Sequence, residues 1–230
     1  WMKNDLSQIE FRLGAHYGVG DGAEDVREAY RSDPRMDFYK LAVDLTQLPR
    51  QEAKSISLGT LYGMREKKFA RMTGRPLEEA YELFAQFNAR LPFMKATYDA
   101  TLAEAEETGF VRTIGGRICN LPLKFAHKAL NRKLQGSCAD WIKLSMLRAW
   151  QAGIFDTLHL YLTVHDELDS GVPRSRAGVQ AARELHRIMT TAYELKVPVL
   201  AGVDVGSNWG ELVELQRPQE LTLSKLKELP

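Results

Sequence analysis

Three short segments carry side chains suited to holding a cation or a phosphate. Asp5 stands where a strand-like start gives way to Ser7-Gln8-Ile9-Glu10, a helix-opening pattern in which Ser7 and Glu10 can cap each other. A carboxylate at such a junction is held rigidly over whatever cleft it borders, although a capped helix with a surface aspartate fits the same residues. Arg50, Lys54, Leu58 and Tyr62 recur at steps of four, so on a helix they form one gently spiralling stripe about 18 Å long. Its two cations suit phosphates and its apolar, aromatic end suits a base, over a length comparable to an extended nucleoside triphosphate. Gly59 and Gly63 beside Tyr62 let another group approach the backbone. An ordinary amphipathic helix has the same spacing. The third segment is Val164-His165-Asp166-Glu167-Leu168, which lacks the Asn-Gly or Asp-Gly of a favoured two-residue hairpin. Adjacent carboxylates repel unless a cation neutralises them, and oxygen-only ligands suit Mg²⁺. An acidic surface hairpin is the plainer account of that segment alone.

The elements that must position these groups are partly legible. The residues through Asp5 read as the end of a strand, followed by a helix carrying Phe11, Leu13 and Ala15. Gly18 to Asp25 reads as a loop, Asp37 to Leu45 as a helix, and Arg50 to Gly63 as a helix preceded by Pro49. Pro76 with Glu78 and Glu79 opens another, and Phe93 to Glu107 is a further helix. Gly115-Gly116 is a turn, and a long helical pattern spans about Phe125 to Trp150. Leu158–Val164 and Glu167–Val172 read as a hairpin, Ala177–Tyr193 as a helix and Val197–Val205 as a last strand. The tail after Pro218 has Leu223, Leu226 and Leu229 at roughly helical spacing, and fits either a frayed end or a docked helix. Helices early and strands late imply an α+β fold without alternating βαβ units.

Composition is that of an ordinary globular chain, with a formal charge of only +1. The charge is segregated: Val111 to Lys133 holds six Lys or Arg (Arg112, Arg117, Lys124, Lys128, Arg132, Lys133) and no acid. Arg50 to Arg75 is basic as well, and Asp21 to Asp37 is rich in acids. Such segregation suits a polyanion on one side, and a solvated basic face equally. No apolar run approaches a membrane span and nothing resembles a signal peptide. Cys119 and Cys138 form no metal-ligand pattern and fit a reducing cytoplasm.

Taken together, the order and spacing of the segments resemble family A DNA polymerases, the group of bacterial DNA polymerase I and several phage replicases. Asp5 to Arg12 matches D-x-S-Q-I-E-x-R. Arg50 to Gly63 matches R-x-x-x-K-x-x-x-aromatic-G-x-x-Y-G at all but one position, and Val164 to Glu167 is V-H-D-E. Asn131-x-x-x-Gln135-Gly136 and Val203-Asp204-Val205-Gly206-Ser207-Asn208-Trp209 also fit, so the resemblance runs to about Leu215.

The resemblance implies a right-hand architecture with an antiparallel-sheet palm (1–15 and 111–215), helical fingers (16–110) and a tail (216–230). It implies template-directed transfer of a deoxynucleotide to a DNA primer, with primer–template DNA and dNTPs as partners. The site would lie in the cytoplasm of a bacterium or phage-infected host, away from membranes. Asp5, Asp166 and the Leu6 carbonyl would hold two Mg²⁺ ions, with Mn²⁺ able to substitute and Glu167 in support. Arg50 and Lys54 would hold the triphosphate, Lys54 also protonating pyrophosphate. Tyr62 would stack near the templating position, Glu10 exclude ribonucleotides and Gln8 support the nucleotide or primer end. Asn131 and Gln135 would reach the minor groove, His165 the primer terminus, and Arg117 and His127 the DNA backbone.

Three positions depart from the family pattern. Leu58 stands where a Phe or Tyr usually packs on the incoming sugar and base. Tyr39 occupies a position often held by His near the phosphates, and His127 one where bacterial members carry Arg. Together they point to a phage-type enzyme. A thumb and any proofreading domain are expected before Asp5, outside these residues. Two other functions fit less well: a polymerase-derived DNA-binding fragment without turnover, and a single-subunit RNA polymerase, which Glu10 opposes.

Overall fold

A computed structural model describes residues 1–229. In chain order the elements are β1 (Met2–Leu6), α1 (Ile9–Tyr17), α2 (Ala23–Ser32), α3 (Tyr39–Thr46), α4 (Arg50–Leu61), α5 (Glu66–Thr73), α6 (Leu77–Arg90) and α7 (Pro92–Thr108). There follow β2 (Phe110–Arg112), β3 (Ile118–Asn120), α8 (Ala129–Gln151), β4 (His159–Val164) and β5 (Glu167–Gly171). The chain ends with α9 (Arg176–Thr190), β6 (Ala201–Asn208), β7 (Glu211–Leu215) and α10 (Leu223–Glu228). The chain divides into two compact units, one of Trp1–Ile9, Ser137–Glu194 and Val199 onward, the other of Glu10–Gly136 with Leu195–Pro198. Among the described residues no helix is long and apolar enough to cross a membrane, and Cys119 and Cys138 are in no disulfide.

The first unit is built on an antiparallel sheet of order β4-β5-β1-β6-β7, five strands among the described residues. Strand alternation sends Met2, Leu6, Leu168, Val203 and Val205 to one face, where all are buried. Against β1 and β6 packs α9, whose Ala182, Leu185 and Met189 recur at helical spacing on its buried stripe. The Trp141 indole, fully buried, donates to the Met189 carbonyl at 2.6 Å. The tail is docked: Thr222 caps α10 by accepting from the Lys225 amide at 3.1 Å, and Leu221 and Leu226 are buried.

The second unit is helical with a small β2-β3 hairpin. Its aromatic core joins Phe11 to Phe38 (stacked, 5.1 Å) and, edge-on, to Tyr39 and Phe93 at 6.1 and 6.2 Å. Arg12, the last residue of the first motif, is completely buried. It donates to the Pro34 and Pro198 carbonyls and lies 4.4 Å over the Tyr30 ring, which answers the cost of burying its charge.

Several expectations need correcting. Gln8 lies at φ 53°, outside the helical region, so α1 begins at Ile9 and the helix does not start directly after Ser7. The expected loop over Gly18–Asp25 is shorter. Gly22, at φ 76°, turns the chain into α2 at Ala23, with Val26, Arg27 and Tyr30 buried. The basic run after Gly63 contains α5, and β7 follows the expected last strand, which itself runs from Ala201 and not Val197. The long helical pattern opens as a 3₁₀ turn over Leu123–Lys128 before α8.

Candidate active site

In the first unit the carboxylates are placed by strand register. Asp5 on the central strand β1 lies opposite Glu167 of β5 on one side and opposite Gly202 of β6 on the other. A Cβ added at Gly202 would come no nearer to the Asp5 carbonyl than 3.9 Å, an ordinary contact. Val164 pairs with Glu167, which makes His165 and Asp166 the turn. His165 takes φ 55°, the left-handed region that few non-glycine residues visit. The Leu6 amide donates to the Asp166 carbonyl at 3.2 Å, tying the turn to the end of β1. Asp5, Leu6, Asp166 and Glu167 therefore meet at one end of the sheet, with His165 beside them at the exposed tip.

Two partners of this group were not visible in the motifs. Lys3 forms an ion pair with Glu167 at 3.0 Å, and this pairing raises the lysine pKa. Asp169 is fully buried and accepts from the Trp1 indole at 3.1 Å. Burial, then the adjoining Glu167 carboxyl, push it up to about 6. The available signal was the period of two, because Lys3 and Asp5, like Glu167 and Asp169, share one face of their strands.

In the second unit Pro49 opens α4. Ala53, Ile56, Ser57, Thr60 and Leu61 face inward, leaving Arg50 and Lys54 exposed and Leu58 and Tyr62 half-buried. Ser57 and Thr60 each donate to the carbonyl four residues back at 2.9 Å, so both hydroxyls are satisfied on the buried side. Both cations of the stripe approach the Tyr39 ring, Arg50 at 5.6 Å and Lys54 at 6.0 Å from its centroid. Arg50 is also ion-paired to Asp37 at 2.6 Å, a partner that sequence reasoning missed. Tyr39 is almost completely buried, so it underlies the two cations. Gly63 sits at φ 80° after the end of α4, and a Cβ there would overlap the Tyr98 ring. Glu10 lies in the first turn of α1, half-buried, while Gln8 belongs to the first unit.

The residues expected to touch a duplex also lie in the second unit, except His165. Asn131 and Gln135 are one turn apart on α8. Arg117 donates to the Gly136 carbonyl at 3.0 Å, and a Cβ at Gly136 would meet Thr113 and Arg117. His127 is exposed, its carbonyl 3.3 Å from the Tyr98 hydroxyl. Of the basic segment, Lys133 is paired to Glu104 at 2.9 Å, and Lys124 and Lys128 flank the Phe125 ring, each 5.0 Å from its centroid.

The family model for DNA polymerase family A matches residues 1–211. The chain belongs to DNA polymerase family A. A Pseudomonas phage M6 protein named DNA-directed DNA polymerase is 30% identical over 91% of this chain and 38% of its own length. DNA polymerase I of Pseudomonas aeruginosa is 33% identical over 90% of this chain and 24% of its own. The chain thus spans between a quarter and two-fifths of these relatives. Among solved structures, the POL domain of Pol1 from M. smegmatis, in complex with DNA primer-template and dNTP, superposes with a TM-score of 0.78 at 29% identity. It covers 90% of this chain and 39% of that one. The family A resemblance and the α+β class are borne out, with phage as well as bacterial relatives.

Proposed function

We propose that this chain supplies palm and fingers of a DNA-directed DNA polymerase, which joins a deoxynucleotide to a primer 3′-hydroxyl as the template directs and releases pyrophosphate. Residues 1–15 and 111–215 read as palm, 16–110 as fingers and 216–230 as a tail, acting in a bacterial or phage-infected cytoplasm. The observation that carries this reading is the register that sets Asp5 opposite Glu167, with Leu6 hydrogen-bonded to Asp166.

The donor set fits a hard divalent cation. Two carboxylates and the Leu6 carbonyl offer only oxygen, which suits Mg²⁺, and Mn²⁺ in its place. Among the described residues no three His, Cys, Asp or Glu side chains close into a cage. When bound, two such ions lower the pKa of the 3′-hydroxyl and neutralise charge on the transferring and leaving phosphates. Asp5 and Asp166 would hold them. Arg50 and Lys54 bind the triphosphate, and Lys54 gives a proton to the departing pyrophosphate. Tyr62 stacks beside the templating position with Leu58 against the incoming sugar. Glu10 crowds the ribose 2′ position, and Gln8 supports the nucleotide. Asn131 and Gln135 read minor-groove acceptors common to all base pairs. Arg117, His127 and His165 hold the primer–template, and the buried Tyr39 supports the two phosphate-binding cations from below.

The test is extension of a labelled primer–template by the full-length protein with Mg²⁺ and dNTPs, beside Asp166→Ala. Template-directed extension lost in the variant is expected. Extension by Asp166→Ala at the parent's rate would overturn the metal-ligand assignment. DNA binding without any extension by the parent would mark a DNA-binding descendant instead.

A further inference from the structure

The sheet face that carries Asp5 is crowded with acids around one cation. Lys3 lies two residues before Asp5 on β1. It stands directly opposite Asp169 of β5 and Asp204 of β6, and directly opposite residues share a face of the sheet. Glu167, opposite Asp5, shares that face as well. Lys3 therefore has four carboxylates as neighbours and bonds to one of them, Glu167, at 3.0 Å, with only 27% and 13% of the two side chains exposed. So enclosed a pair is little screened by solvent. Asp169 cannot take the role of partner on equal terms: it is fully buried and already accepts from the Trp1 indole.

Glu167 is the one acid of the hairpin whose neighbour in sequence, Asp166, and whose neighbour across the sheet, Asp5, are both assigned to metal. A third carboxylate free to swing would join them and bind the cation too tightly, filling a position that substrate oxygens need. Lys3 prevents this by geometry.

We infer that Lys3 is a positioning residue that pins the Glu167 carboxylate to β1, keeping it off the cations held by Asp5 and Asp166. This inference rests on the metal-site reading proposed above. Lys3 touches no substrate and acts through Glu167. Its removal strengthens cation binding while slowing turnover, and the effect requires Glu167.

The experiment measures Mn²⁺ affinity of the full-length protein by electron paramagnetic resonance, in the parent, Lys3→Met, Glu167→Gln, the double variant and Lys3→Arg. Thermal melts of each variant check folding. Lys3→Met is expected to tighten Mn²⁺ binding roughly fivefold, within the range of coupling between contacting residues. In the Glu167→Gln background the same substitution should change affinity less than twofold, and Lys3→Arg should match the parent. Equal tightening in both backgrounds would make Lys3 a diffuse charge and overturn the inference, as would no tightening at all. The double variant removes both members of the ion pair, so the cycle is readable even where Lys3→Met alone is destabilised. Asp166→Ala separates the two readings. If it weakens Mn²⁺ binding while Lys3 and Glu167 show no coupling, the inference alone fails. If it leaves binding unchanged, the metal-site reading fails and takes the inference with it.

Discussion

The Arg50 guanidinium is ion-paired to Asp37 at 2.6 Å, and the same carboxylate accepts from the Tyr39 amide at 3.1 Å. The arginine assigned to the triphosphate thus has a protein anion to leave. Because the Arg50 side chain is exposed and Asp37 partly so, that exchange costs about 1 kcal/mol.

Arg50→Ala should therefore raise the KM for dNTP about tenfold or more, the loss of a charge-assisted hydrogen bond to phosphate. Asp37→Asn should change it less than about threefold, since only the partly exposed ion pair is lost. Steady-state extension across a dNTP titration checks both. An equal effect of the two substitutions would mean that Asp37 orients Arg50 instead of competing for it.

Asp169 gives the sheet a pH dependence of defined sign. Its folded pKa is raised to about 6 from an ordinary 3.8, so the folded state binds the proton more tightly than the unfolded chain. Stability is then highest below about pH 4 for this group and is lost as pH rises through about 6. Asp169→Asn keeps an acceptor for the Trp1 indole and removes the ionisation. Its melting temperature should match the parent near pH 4 and exceed it near pH 7.5. A constant difference across that pH range would remove Asp169 as the cause.

Gly63 holds φ 80° with the Tyr98 ring where a Cβ would go. Gly63→Ala should lower stability by about 1–2 kcal/mol from the left-handed backbone alone, and by more from the overlap. Adding Tyr98→Ala should recover only the second part, since the backbone strain remains. Melts of the two variants separate the contributions.

The basic segment is uneven. Lys128 flanks an exposed ring, whereas Lys133 is already paired to Glu104. Lys128→Ala should weaken DNA binding alike on all sequences and reduce the salt slope by about one. Lys133→Ala should leave the slope nearly unchanged. Fluorescence anisotropy over a salt series distinguishes them.

Much of this was legible in the chain, for physical reasons that differ by element. The β4–β5 hairpin and α4 announced themselves because apolar alternation and steps of four are direct readouts of strand and helix period. Helix α2 was hidden by Gly18, Gly20, Asp21 and Gly22, which look like a loop until Gly22 is seen to turn the chain into Ala23. Helix α5 was hidden within a run of charges whose few apolar members, Phe69 and Ala70, are buried. Strand period puts Lys3 and Asp169 on the faces of Asp5 and Glu167, but which groups they meet there, and the pairing of Asp37 with Arg50, it does not tell. Cross-strand register and a contact thirteen residues along the chain are set by tertiary structure and leave no mark in local spacing.

The strand order has a mechanical consequence. Strand β1 lies between β5 and β6, while β4 closes the sheet on one side and carries a register shift between Leu160 and Leu162. Asp5 thus rides on a backbone clamped from both sides, and Asp166 rides on a turn whose outer strand is held from one. The two carboxylates therefore differ in compliance, Asp5 being the more firmly held and Asp166 the freer to shift. Amide hydrogen exchange should be slow along β1 and faster along β4, in the order of local opening expected of central and edge strands.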